Sequence, residues 1–349
     1  MKTNPGNFFE DFRLGQKIAH ATPRTLTVGD AALYTALYGS RFALQSSDAF
    51  ARAYGLARAP LDDLLVFHTV FGKTVPDISL NAIANLGYAE GTFLKPVLAG
   101  DTLSAMSEVI GLKENSNRQS GVVYVRSEGF NESGAKVLSY VRWVMVRKRD
   151  AGAAVAEAHV PKLAEAVAAG ALVPPHADFT GFDCTASGST QLWGDYRIGE
   201  KIDHVDGMTV EEAEHMMATR LYQNTARVHF NQFSESKGRF GRRLVYGGHA
   251  ISLARALSFN GLANALSIAA INGGRHVNPL FAGDTVFAWS QVLDKAEFAG
   301  RKDCGALRLR LVATKNLPCA EFPDRSADGQ YPENVILDFD FWAWMPRRA

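Results

Sequence analysis

Cysteine, net charge and long apolar runs are all scarce in this chain, and each shortage excludes something. Three cysteines, Cys184, Cys304 and Cys319, stand far apart in 349 residues. Such an odd, scattered set is neither the framework of a disulfide-stapled secreted domain nor a metal-ligand spacing, and it fits a reducing cytoplasm. Lys plus Arg is 37 against 36 for Asp plus Glu, so no field of one sign recommends nucleic acid or an anionic membrane as partner. Any anionic ligand has to be met by local groups. No stretch approaches the roughly 20 apolar residues of a membrane span, and the first residues lack a signal-peptide core. The expectation is a soluble, unprocessed cytoplasmic protein. No Gly-x-Gly-x-x-Gly or phosphate-loop pattern follows a strand-like run, and no His, Cys and Asp cluster has metal spacing, so neither a redox cofactor nor a catalytic metal is expected.

What the chain does have is a repeat. With 47% hydrophobic and 21% charged residues it is long enough for two cores, and its two halves match. Asp11-Phe-Arg-Leu-Gly-Gln-Lys-Ile-Ala-His20 is answered by Asp195-Tyr-Arg-Ile-Gly-Glu-Lys-Ile-Asp-His204, an offset of 195 − 11 = 184. Pro96-Val-Leu-Ala-Gly-Asp-Thr102 is answered by Pro279-Leu-Phe-Ala-Gly-Asp-Thr285, at 279 − 96 = 183. Leu37-Tyr38 and Leu221-Tyr222 again differ by 184, as do Gly121 and Gly305. Two independent matches at nearly one offset mark a duplication, with halves at 1–150 and 191–349 and a linker over 151–190.

Apolar residues recur at helical spacing from Val28 to Phe50 and from Pro60 to Phe71, while Val122 to Glu128 and Lys136 to Arg147 alternate or run β-rich. Each half therefore reads as one helical layer on an antiparallel sheet, an α+β architecture. The segment from Leu317 to Glu333, rich in turn formers, reads as a lengthened hairpin loop. In the linker, the stretch from His159 to Gly170 begins like a short helix. The run with Phe339, Phe341, Trp342 and Trp344 reads as sheet core or a dimer face. Gly100-Asp101 and Gly283-Asp284 occur in both halves and read as turns.

Two such units side by side leave a groove, a common place for a ligand, and the halves can be compared across it. After the Leu-Tyr pair, the segment from Gly39 to Gln45 lies opposite the segment from Gln223 to His229, so the second half has an imidazole where the first has an amide. Tyr222-Gln-Asn-Thr-Ala-Arg-Val-His229-Phe-Asn231, followed by Gly241-Arg-Arg-Leu-Val-Tyr-Gly247-Gly248-His249-Ala, resembles the hydratase motif of the MaoC-like dehydratase family. The repeated proline-to-threonine element from Pro279 to Thr285 resembles that family's turn. The likeness spans nearly the whole chain and is nearest to the subgroup of mesaconyl-CoA (2-methylfumaryl-CoA) hydratases.

That resemblance implies two tandem hotdog domains, each an antiparallel sheet wrapped around a central helix, and an enzyme that reversibly adds water to an α,β-unsaturated acyl-CoA thioester. It also implies association into a homodimer or larger, with CoA entering as part of the substrate. His229 matches the family's catalytic His, but Asn224 stands in the place of its Asp, and Ala226 and Arg227 where Asn and Pro are usual. The first half has Ser40 and Gln45 in the two places, so one active site per chain follows. His229 takes a proton from water, Asn224 orients that water, and backbone N–H groups at Gly247 and Gly248 hold the thioester oxygen. The subgroup's substrate carries its own carboxylate beside the hydrated carbon; a neutral Asn224 next to a cationic Arg227 suits it better than an Asp would. His249 and His276 read as structural. Two other functions remain open: a thioesterase in the same fold, distinguished by release of free thiol, and a non-catalytic acyl-CoA-binding module, which would have no need of His229.

Overall fold

The computed structural model describes residues 2–154 and 157–348. The first half supplies β1 (Lys17–Thr25), β2 (Ala82–Phe93), β3 (Thr102–Glu114), β4 (Ser120–Phe130) and β5 (Lys136–Arg147). The second supplies β6 (Lys201–Asp203), β7 (Met208–Thr209), β8 (Ser267–His276), β9 (Thr285–Phe298), β10 (Arg301–Lys315) and β11 (Val335–Pro346). They form one antiparallel sheet in the order β1-β3-β4-β5-β2-β8-β11-β10-β9-β6, with β7 also on β9. The order reads the same outward from the β2–β8 seam, as a duplication requires. At that seam Gly91 lies opposite Ile271, and a Cβ on Gly91 would fall 2.8 Å from the Ile271 Cβ.

Each wing curls around one helix, Asp63–Thr74 in the first half and Gly247–Leu257 in the second. Nearly every residue of both is buried, which accounts for their lack of a polar face. The repeated Leu-Tyr pair sits where the halves meet: the Tyr222 hydroxyl donates to that of Tyr38 over 2.9 Å, and both rings are fully buried. Among the described residues no helix is long and apolar enough to cross a membrane.

Two sequence expectations need correction. The helical stretch from Val28 to Phe50 is three pieces, Val28–Tyr38, Ala43–Ser46 and Asp48–Ala53. Gly39 ends the first in the left-handed region (φ 61°), and the Ser47 side chain caps the last by accepting from the Phe50 N–H. The stretch that begins at His159 is not a helix. His159 and Leu112 exchange two backbone hydrogen bonds of 2.8 Å, the Val167 N–H donates to Asn272 Oδ1, and Trp342 Nε1–H donates to the Val167 carbonyl. Anchors to the sheet override the helix propensity of an Ala-rich run. The segment from Leu317 to Glu333 does connect β10 to β11, and it is tied down by Arg310, which bridges Asp324 at 2.6 Å and Asp338 at 2.8 Å. Phe339, Phe341, Trp342 and Trp344 are buried, the two tryptophans in a cluster with Val167 and Leu172 of the linker.

Candidate active site

A cavity of about 460 Å³ opens between the halves, and Asn224, Arg227, His229 and Gly247 all line it. His229 stands on a single helical turn, Arg227–Phe230, that follows a tight reversal. Asn224 builds that reversal by accepting the Ala226 N–H at its Oδ1 over 2.9 Å, the local bond typical of Asn in turns. Among the described residues no bond engages the Asn224 Nδ2, so the amide keeps a free donor at the cavity.

The orientation of His229 follows from one contact. Its Nδ1 lies 2.9 Å from the Leu244 carbonyl oxygen, which only accepts, so Nδ1 carries the proton and Nε2 keeps its lone pair. Burial pushes the imidazole down to about 4, against the opposing pull of the Leu244 carbonyl. The ring is thus a neutral base at neutral pH, held edge-on to Tyr246 with centroids 5.4 Å apart. Burial raises the Tyr246 phenol well above its ordinary value, so it stays protonated.

The Gly247-Gly248 pair begins the central helix, with Tyr246 as its N-cap. Among the described residues neither N–H has an acceptor in the protein, leaving two unpaired donors at the positive end of the helix dipole. Gly247 faces the cavity, whereas Gly248 is buried and does not line it. The missing Cβ atoms also serve a purpose the sequence did not reveal. A Cβ on Gly247 would lie 2.3 Å from His276 Cε1, and one on Gly248 2.3 Å from Tyr246 Cε1 and 2.5 Å from His68 Cε1. Each glycine admits an aromatic or imidazole ring against the helix end.

Arg227 is exposed at the rim. His249 is fully buried, its Nδ1 3.2 Å from the Tyr38 hydroxyl, and packs as expected. His276, read as structural, ends β8, lines the cavity, and places its Nε2 3.2 Å from the Tyr88 hydroxyl. Burial pushes it to about 4, with the His229 charge as the second cause. The comparison of halves held the signal, because at the local offset of 183 the first half has a phenylalanine there, Phe93 (276 − 183 = 93). The first half also contributes more than a backdrop, since Asn85, Tyr88 and Arg142 line the same cavity.

The matching place in the first half is closed. Gln45, at the position of His229, donates from Nε2 to the Leu266 carbonyl over 2.8 Å. Linker residues Pro174, Pro175, His176 and Ala177 line what space remains there, about 70 Å³. Asp63 stands where the second half has Gly247 (247 − 184 = 63) and puts a carboxylate, accepting the Ile268 N–H over 2.7 Å, where an oxyanion would go. Burial and the charge of Asp62 push that carboxyl up to about 7. A folded-state pKa raised above the unfolded value means that stability is withdrawn as pH climbs from about 4 to about 7. Asp63→Asn, which keeps the acceptor, is therefore expected to raise Tm at pH 8 and to change it little at pH 4; an equal shift at both pH values would refute this account.

Two curled antiparallel sheets fused edge to edge, each around one helix, with a His-bearing cavity at one helix end, define a double-hotdog protein of the MaoC-like dehydratase type. The comparisons make this specific. The sequence model described as mesaconyl-CoA hydratase matches residues 2–318. The chain is 65% identical to the beta-methylmalyl-CoA dehydratase of Chloroflexus aurantiacus, covering 100% of this chain and 99% of that one. It is 64% identical to the mesaconyl-CoA hydratase of Cereibacter sphaeroides, covering 99% and 100%. A crystal structure of a MaoC domain protein dehydratase from Chloroflexus aurantiacus superposes with a TM-score of 0.98 at 65% identity over the whole of both chains. The fold alone is shared with Rv0216 of Mycobacterium tuberculosis, a double-hotdog protein at TM-score 0.74 and 24% identity, over 98% and 99% of the two chains. The chain belongs to the mesaconyl-CoA hydratase family, and it is a hydro-lyase.

Proposed function

We propose that this cavity reversibly hydrates mesaconyl-CoA to β-methylmalyl-CoA, with His229 as the one acid–base residue. The observation that carries the reading is the commitment of His229 Nδ1 to the Leu244 carbonyl, which leaves a neutral Nε2 facing the cavity beside the unpaired N–H of Gly247.

The chemistry follows in sequence. The thioester oxygen accepts from the N–H of Gly247, with the adjacent Gly248 N–H in the same turn, so that the charge built up on it as water attacks meets the helix dipole. Water, held by the Asn224 Nδ2 side, gives its proton to His229 Nε2 as its oxygen bonds to the β-carbon. The imidazolium then returns that proton to the α-carbon, which closes the addition with no net proton exchanged. In dehydration the same neutral His229 removes the α-proton and protonates the departing hydroxide. A carboxylate at Asn224 would stand beside the substrate's own carboxylate, and the amide avoids that repulsion. Arg227, exposed at the rim, is a cation available to an anionic group of the substrate.

The test follows loss of the enoyl-thioester absorbance and appearance of free thiol in parallel, on mesaconyl-CoA and on crotonyl-CoA. The absorbance is expected to fall on mesaconyl-CoA without thiol. Thiol release would make the protein a thioesterase, and tight acyl-CoA binding without turnover would make it a binding module.

A further inference from the structure

The cavity wall contains a buried cation that pairs with no carboxylate among the described residues. Arg142 is fully buried on β5. Its NH2 donates to the hydroxyls of Thr74 (2.8 Å) and Ser79 (3.2 Å), while its Nε and NH1 have no acceptor among the described residues. Its guanidinium lies over the Phe71 ring at 4.2 Å, and the groups that act on its charge are the hydroxyls of Tyr140, Tyr88 and Tyr246, not a carboxylate. Beside it on the sheet, Asn85 of β2 pairs with Val144, two residues along from Arg142, and both its side-chain N and O are buried without a partner. Both residues line the cavity that holds His229. A buried charge without a counter-ion is costly, so its place beside an open cavity points to an anion from outside.

The other half of the molecule supplies an internal control. Phe71 of the first central helix corresponds to Arg255 of the second (255 − 71 = 184). Arg255 is also buried and stacks on Phe42 at 3.5 Å, but it feels the charges of Asp62 and Asp63. The cation beside the plugged site thus has carboxylates acting on its charge. The cation beside the open site has none among the described residues.

We propose that Arg142, with the Asn85 amide next to it, seats the free carboxylate of the acyl group. This rests on the hydratase reading and deepens it. The carboxylate is borne by the carbon that water attacks, so an arginine there fixes which carbon faces His229 and screens the negative charge that would otherwise disfavour addition beside it. The first half then recognises the substrate and the second half performs the chemistry.

Two saturated ligands that cannot be hydrated test this: succinyl-CoA, which ends in a carboxylate, and butyryl-CoA, which ends in a methyl. Wild-type protein is expected to bind succinyl-CoA about 30-fold or more tighter, Arg142→Gln to abolish that preference with butyryl-CoA affinity within about 3-fold, and Arg142→Lys to restore part of it. Equal affinity of the wild type for the two ligands overturns the proposal, as does an Arg142→Gln protein that keeps the preference or weakens both ligands alike. Should Arg142→Gln fail to fold by circular dichroism, Asn85→Ala decides: a smaller preference supports the proposal and an unchanged one overturns it. Turnover separates the two readings. Discrimination through Arg142 without hydration of mesaconyl-CoA refutes the hydratase reading alone, and hydration with Arg142→Gln unimpaired refutes this one alone.

Discussion

Replacing His229 with Ala is expected to lower kcat for mesaconyl-CoA hydration by about 10³-fold or more, with substrate affinity little changed, because in the proposed mechanism a single residue carries both proton transfers. The loss should be equal in the two directions, since hydration and dehydration each begin from the neutral imidazole. The wild-type pH profile checks the same point independently. With burial holding the free imidazole at about 4, kcat/KM should stay flat on its acid side from pH 7 down to about 5 and fall as pH drops through about 4. The sign follows from the role: protonation removes the base, so activity is lost below the pKa and not above it. An acid limb near pH 6.5, the value of a solvated His, would show that the ring is not held dry against Leu244. A variant with wild-type turnover would remove His229 from the mechanism altogether.

Much of this arrangement was legible in the sequence, and what was not has physical causes. The duplication was visible because one offset serves several independent motifs, and the offset led to His229 through its contrast with Gln45. The same comparison would have raised His276 against Phe93, but a His next to a turn is so often structural that its place on the cavity wall needed the register of β8. Arg142 was hidden for a different reason. On a sheet with one wet face, an Arg inside an apolar run faces out. β5 is buried along most of its length on both faces, so alternation no longer says where a charged side chain points. The linker misled through composition. Its Ala-rich stretch has the propensity for a helix, and only the bonds of His159 to Leu112 and of Val167 to Asn272 and Trp342 show why it runs extended and carries the chain on to plug the first-half site. Gly39 and Ser47, by contrast, were readable stop and start signals within the stretch taken as one helix.

Gly248→Ala sets two opposing effects against each other and has the second large expected consequence. Inside a helix the change favours folding by up to about 1 kcal/mol, since Ala is the better helix former. Here the added methyl would fall 2.3 Å from Tyr246 Cε1 and 2.5 Å from His68 Cε1, and both rings are buried with little room to move, at 4% and 0% exposure. Overpacking of this kind costs about 1–3 kcal/mol, so the clash wins and Tm should drop by several degrees, about 2–4 °C per kcal/mol for a chain of this size class. Activity should suffer more than stability. Tyr246 caps the helix whose first N–H, in the proposed mechanism, meets the thioester oxygen, and its ring packs against His229, so a shift of even about 1 Å misaligns donor and base together, an error worth about 100-fold in rate. Thermal melting and kcat/KM on one preparation check both parts. A variant with unchanged Tm and unchanged kcat/KM would mean that the helix end tolerates a side chain at this position, and that Gly248 is not there to admit His68 and Tyr246.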